Sequence, residues 1–139
     1  MKKKVLFICT GNSCRSQMAE GLLKFYYDNK YEVYSAGTKP STVDLYAVRV
    51  MKELGIDISH QYSKHIDELK DIDFDSVITV CDNAKESCPT YFGRAKILHW
   101  SFEDPANANG VEEEILEKFR GIRDQIKDTI SDSLDKKLF

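Results

Sequence analysis

The chain has 139 residues, a formal net charge of −3, and 42% hydrophobic against 31% charged residues. That length predicts one domain over residues 1–139 with one sizeable core, and that balance excludes a disordered chain. The negative charge argues against a nucleic-acid partner, which needs a basic face; an anion can still bind where the chain is locally positive.

The first residues, Met1-Lys2-Lys3-Lys4, look like the start of a secretory signal, but the apolar run behind them is only Val5–Ile8. That is too short for a signal core, and no run in the chain could cross a bilayer. The expectation is a cytoplasmic protein without membrane contact. In that compartment its four cysteines point to catalysis, redox chemistry or metal binding rather than to structural disulfides.

Lys4–Cys9 reads as a strand. It runs directly into Cys9-Thr10-Gly11-Asn12-Ser13-Cys14-Arg15-Ser16, and then into a helical pattern over Arg15–Asp28 carried by Met18, Leu22, Phe25 and Tyr26. A strand, a tight small-residue turn and a helix start form an oxyanion cradle. Amide N–H groups point inward, and the helix N-terminus adds partial positive charge. Gly11 lets the backbone curl, and Asn12 tolerates a left-handed conformation. The Arg15 guanidinium can hold two oxygens of a tetrahedral anion through parallel N–H bonds. Cys9, at the lip, is expected as a thiolate nucleophile, with the Ser16 hydroxyl donating to its sulfur. Cys14 is expected to be a core thiol behind the loop.

Glu32–Ala36 reads as the next strand, followed by a helix over Val43–Leu54, a short helix near Ile66–Lys70 and a strand over Ser76–Cys81. Cys88 stands six intervening residues beyond Cys81. If residues 82–88 are helical, the two thiols lie roughly 10 Å apart along the axis. A disulfide needs Cα atoms within about 7 Å. Either the pair never bonds, or bonding unwinds the segment and makes it a redox switch.

Lys96–His99 is the last strand, and Asp104-Pro105 follows it. Proline biases Asp104 toward extended backbone, which aims a carboxyl group suited to general acid catalysis. Glu112–Leu134 is an amphipathic helix, with Ile115, Leu116, Phe119, Ile122, Ile126 and Ile130 at three-and-four spacing.

Strands alternating with helices predict an α/β fold, a three-layer αβα arrangement around a four-stranded parallel sheet. Ligands bind such sheets beyond the strand carboxyl ends, where Cys9, Cys81 and the segment after His99 all fall. Zinc is not expected, because the intervals within Cys9–Cys14 and Cys81–Cys88 do not match paired structural spacing. His60, His65 and His99 show no nucleophile–base or metal spacing.

Cys9-x5-Arg15-Ser16 with the later Asp104-Pro105 resembles the low-molecular-weight protein tyrosine phosphatases. The wider string from Cys9 to Gly21 is similar to the thioredoxin-coupled arsenate reductases built on that fold. Val33-Tyr-Ser-Ala-Gly37, Met51–Ser59, Cys81 with Cys88-Pro89, and His99-Trp100 extend the likeness over nearly the whole chain. Gln17 and Ala106 separate it from the phosphatases, which usually carry proline and often tyrosine at these places.

The resemblance implies a mechanism. Cys9 attacks arsenate while Arg15 and the loop residues Thr10, Gly11, Asn12, Ser13, Cys14 and Ser16 hold its oxygens. Asp104 protonates the departing hydroxyl. Cys81 then attacks Cys9, arsenite leaves, and Cys88 resolves the Cys9–Cys81 bond into a Cys81–Cys88 disulfide that thioredoxin reduces. Phosphate and sulfate are expected as competing anions, no bound cofactor is implied, and a monomer is expected. Many relatives bind potassium beside the loop through side chains matching Asn12, Glu20 and Ser35; their fourth ligand, an aspartate, matches Lys64 here. A lysine repels a cation, so the Lys64 ammonium is expected to replace the ion and to pair with Glu20. A phosphatase would use Cys9, Arg15 and Asp104 equally well, and a thiol redox sensor would use the cysteines without turnover; only the reductase needs Cys81 and Cys88 in catalysis.

Overall fold

The computed structural model describes residues 2–81 and 94–136. Four strands, β1 (Lys3–Cys9), β2 (Tyr31–Gly37), β3 (Ser76–Thr79) and β4 (Lys96–His99), form one sheet in the order β2-β1-β3-β4. Every neighbouring pair is parallel, with Cys9 level with Gly37 and Ile8 level with Thr79. The fold class expected from the sequence is the one observed. Chain order reverses between β1 and β3, so the carboxyl end of β1 is the switch point where such sheets place ligands.

Val5 to Ile8 of β1 are wholly buried, as a strand covered on both faces must be. Parallel register puts Phe7, Ser35, Ile78 and Leu98 on one face. That face meets helix α1 (Arg15–Tyr27), whose Glu20 accepts a hydrogen bond from the Ser35 hydroxyl. The opposite face carries Leu6 and Tyr34, and the Tyr34 ring packs edge-on against Phe74 with centroids 5.3 Å apart. A 3-10 turn at Ile66–Leu69 precedes Phe74 and buries both Ile66 and Leu69. His65 caps this turn, and His99 bonds Thr79, so both serve structure.

Boundaries differ from the sequence reading for identifiable reasons. β3 ends at Thr79, where its pairing with β1 and β4 ends, although the Val80 N–H still bonds Ile8. Helix α2 (Leu45–Lys52) starts two residues later than expected because Asp44 caps it, its carboxylate accepting from the Tyr46 N–H at 2.8 Å. The apolar stripe of α1 also stops early. Met18 and Leu22 are buried, but Phe25 and Tyr26 face outward, stacked edge-on against each other with Lys127 over the Tyr26 ring. The segment 82–88 and Cys88 lie outside the described residues.

Helix α3 (Glu112–Asp135) buries Leu116, Phe119, Ile122, Ile126 and Ile130, the expected stripe without Ile115. It is clamped to α2 through Glu53. Arg120 and Arg123 both donate to the Glu53 carboxylate, and Arg123 also donates to the Val50 carbonyl at 2.8 Å. The Arg120 hydrogen bonds hold the Glu53 pKa below its ordinary value, with Arg123 assisting.

A carboxylate with a lowered folded pKa stabilises the fold above its unfolded pKa and loses that effect as pH falls through the folded value. Glu53→Gln is therefore expected to cost about 1 kcal/mol near neutrality, a figure already limited by solvent screening of a part-exposed pair. The difference between variant and wild type should shrink as pH drops from about 6 to about 3. Urea midpoints measured across that range check this; a constant difference would refute the clamp.

Candidate active site

β1 delivers the chain into the loop Cys9–Cys14, and α1 starts at Arg15. Among the described residues, Asn12 is the non-glycine with positive φ, at 49°. The left-handed residue of the loop is thus Asn12, the one whose type tolerates it, and Gly11 has no positive φ. Asn12 holds its unusual conformation by using its whole amide. Its Nδ2 donates to Ser16 Oγ at 2.8 Å and Ser35 Oγ at 3.0 Å, and its Oδ1 accepts from the Lys64 N–H at 3.0 Å.

The Cys9 sulfur is almost fully buried and lies 2.8 Å from Ser16 Oγ and 3.2 Å from the Asn12 N–H. Ser16 already accepts from Asn12, so its own hydrogen is available to the sulfur. Both contacts set hydrogen-bond donors against the sulfur. Cys14 is different. Burial pushes its thiol well above the ordinary range, and the nearby Asp44 charge adds to that. It is the inert core thiol expected.

The loop carbonyls are all turned outward and bonded. Cys9 O accepts from the Thr38 N–H, Thr10 O from Lys39, Ser13 O from Asp44 and Cys14 O from Met18. Gly11 O accepts from the Ser63 hydroxyl at 2.8 Å, and Asn12 O from Gln17 Nε2 at 3.0 Å. In a trans peptide the N–H points opposite to the C=O, so this outer ring of donors turns the loop amides inward. An inward nest of amides above a helix N-terminus suits a tetrahedral anion.

Three further expected residues converge here. Arg15 donates to the Phe102 carbonyl at 3.0 Å and lies 3.5 Å from the Asp104 carboxylate. Asp104 is extended, as its proline neighbour predicts, and caps the 3-10 turn Pro105–Asn107 through the Ala106 N–H. Cys81, just past β3, is buried with its sulfur 3.4 Å from Thr10 Oγ1. The structure thus gathers Cys9, Arg15, Asp104 and Cys81 at one edge of the sheet.

The expected Lys64–Glu20 contact takes another form. Lys64 Nζ donates to the carbonyls of Ser35 at 2.9 Å and Tyr62 at 3.0 Å, and lies over the Tyr62 ring. Glu20 accepts from Ser35 on one oxygen and pairs with Lys24 on the other, both at 2.6 Å. Lys64 makes no hydrogen bond to it and feels it only through space: burial lowers the Lys64 pKa, and the Glu20 charge opposes that. Among the described residues no group of three His, Cys, Asp or Glu side chains gathers to hold a metal.

Sequence reasoning missed Ser63 and Gln61, and it noted Gln17 only as a family difference. Gln61 Nε2 bonds both the carbonyl and the side-chain oxygen of Gln17. No local pattern marks these residues, since each acts on a partner more than forty positions away. Gly37 stood out in the sequence only as the end of the string Val33–Gly37, with no role attached. A Cβ there would come within 2.5 Å of Thr10 O and 2.9 Å of Asn12 N, both backbone atoms of the loop. Gly37→Ala is therefore expected to displace the loop and weaken phosphate binding by about tenfold or more, the scale of one lost charge-assisted hydrogen bond. Isothermal titration with phosphate measures this; unchanged affinity would show that the loop does not depend on the close approach.

The family model described as low molecular weight phosphotyrosine protein phosphatase matches residues 4–138. An arsenate reductase of Shouchella clausii (strain KSM-K16) is 49% identical over 127 residues, covering 90% of each chain. The structure of an arsenate reductase in the phosphate binding state is similar with a TM-score of 0.82 and 38% identity, over 96% of this chain and 98% of that one. A low molecular weight protein tyrosine phosphatase from T. tengcongensis gives 0.79 and 29% identity, over 97% and 99%. The chain therefore belongs to the low molecular weight phosphotyrosine protein phosphatase family, and arsenate reductases are among its similar members.

Proposed function

We propose that this protein reduces arsenate to arsenite through a relay of three thiols, with thioredoxin as reductant. The observation that carries the reading is the second thiol at the site: Cys81 is buried against Thr10 of the nucleophile loop. Hydrolysis of a phosphate ester has no use for it, whereas reduction needs a thiol that can reach Cys9.

The Cys9 thiolate attacks arsenic while Arg15 and the inward amides hold the remaining oxygens. Asp104 donates a proton to the departing oxygen, which leaves as water. Cys81 attacks the Cys9 sulfur; the sulfur–arsenic bond breaks with its electron pair going to arsenic, and arsenite departs. The product is a Cys9–Cys81 disulfide. Cys88 then attacks Cys81 and frees Cys9. The Cys81–Cys88 disulfide passes to thioredoxin, whose dithiol supplies the two electrons. Phosphate and sulfate compete for the same cradle. Forming this last disulfide unwinds residues 82–88, and the protein acts as a monomer in the cytoplasm.

A coupled assay with arsenate, thioredoxin and its reductase tests the relay. Wild type is expected to turn over repeatedly, and Cys88→Ser to stop after about one arsenite per chain, because the first disulfide has no resolving thiol. Repeated turnover by Cys88→Ser would refute the three-thiol route. Phosphatase activity that survives loss of Cys81 and Cys88, with no arsenate reduction by wild type, would favour the hydrolytic reading that the same loop also permits.

Lys64 is proposed to stand where relatives hold a potassium ion, its ammonium satisfying the Ser35 and Tyr62 carbonyls. Exchanging sodium for potassium is then expected to leave melting temperature and turnover unchanged. A marked rise of either in potassium would contradict this role.

A further inference from the structure

We propose that Ser63 is a positioning residue for the nucleophile, acting on Cys9 through the Gly11–Asn12 peptide. The two ends of that peptide do different work. Its N–H, on Asn12, points at the Cys9 sulfur from 3.2 Å. Its C=O, on Gly11, accepts the Ser63 hydroxyl at 2.8 Å. The Ser63 oxygen accepts in turn from the Ser41 N–H at 3.0 Å, which leaves its hydrogen for the Gly11 carbonyl.

This peptide is the weak joint of the loop. A peptide flip changes the ψ of the residue before it and the φ of the residue after it. Here those residues are Gly11, which accepts nearly any ψ, and Asn12, whose φ of 49° is disfavoured for a residue with a Cβ. A flip would carry Asn12 into ordinary negative φ and turn its N–H away from the sulfur. Backbone preference therefore favours the wrong orientation, and bonds at the carbonyl have to oppose it. The Ser41 N–H reaches the same carbonyl at 3.1 Å while shared with Ser63. The Ser41 hydroxyl reaches the carbonyl only at 3.4 Å, so Ser63 contributes the shortest of the three contacts, and it also anchors Ser41. A hydrogen bond at the carbonyl further polarises the peptide and strengthens donation from its N–H.

The inference rests on Cys9–Ser16 being the anion-binding nucleophile loop, and the test separates the two. The reference chain carries Cys81→Ser and Cys88→Ser, so that Cys9 is the reactive thiol; Cys14 is buried and held as a thiol. Alkylation of Cys9 by iodoacetamide is followed at neutral pH, with and without inorganic phosphate. Adding Ser63→Ala is expected to slow alkylation about three- to tenfold, the worth of one hydrogen bond. Ser63→Thr, which keeps the hydroxyl, should stay within about twofold of the reference, since the same bond can form. A purely structural serine would lower the melting temperature and leave the alkylation rate alone. An unchanged rate in Ser63→Ala, or an equal loss in Ser63→Thr, overturns the role of Ser63. Failure of phosphate to slow alkylation of the reference chain overturns the loop reading itself and the inference with it.

Discussion

A peptide that aims its N–H at an anion must aim its carbonyl the other way, and a buried carbonyl needs a donor. That constraint organises this protein around Cys9–Cys14. Thr38, Lys39 and Ser41 follow β2 and supply backbone N–H groups to the loop's outer side. Asp44 both caps α2 and donates its own N–H to Ser13. Gln17 turns back from the first turn of α1 to reach Asn12. The cradle is less a feature of the loop than of the shell that holds its back.

Charge follows the same logic. The polar cluster beneath the loop contains Glu20, Lys64, Ser35 and Asn12, all buried. A buried charge is tolerated only with partners. Glu20 finds Lys24 and Ser35, while Lys64 spends its ammonium on two carbonyls and a ring face. Asn12 joins this cluster to Cys9 through Ser16. The chain of hydrogen bonds from the Glu20 carboxylate to the Cys9 sulfur is therefore continuous.

The parts of this site legible in the sequence were those whose cause is local. Cys9, Arg15 and Ser16 stand on one strand–turn–helix unit, and Asp104 is aimed by its own proline. Asn12 was readable because few residues other than glycine accept its backbone. Local evidence also existed for the Glu20–Lys24 pair, which has the spacing of neighbours on a helix surface; expecting Lys64 as the partner passed over it. Phe25 and Tyr26 continued an apolar pattern, but at the end of α1 both rings face outward and meet each other and Lys127 instead of the core. Ser63, Gln61 and Gly37 were illegible for a different reason. Serine, glutamine and glycine are common loop and strand-end residues, and what makes these particular ones matter is an atom brought near by tertiary folding alone.

The donor to Gly11 O and the donor to Asn12 Oδ1 both sit 52 positions further along the chain. Contacts of that separation form late, after the intervening loop has been closed. A polypeptide emerging from the ribosome has Cys9–Ser16 long before it has the residues that hold that loop in place. In such a nascent or partly unfolded chain the Cys9 sulfur lacks the contacts that the folded loop gives it. A chain in which the 61–64 segment has come away from the loop has lost the donors to Gly11 O and Asn12 Oδ1 together.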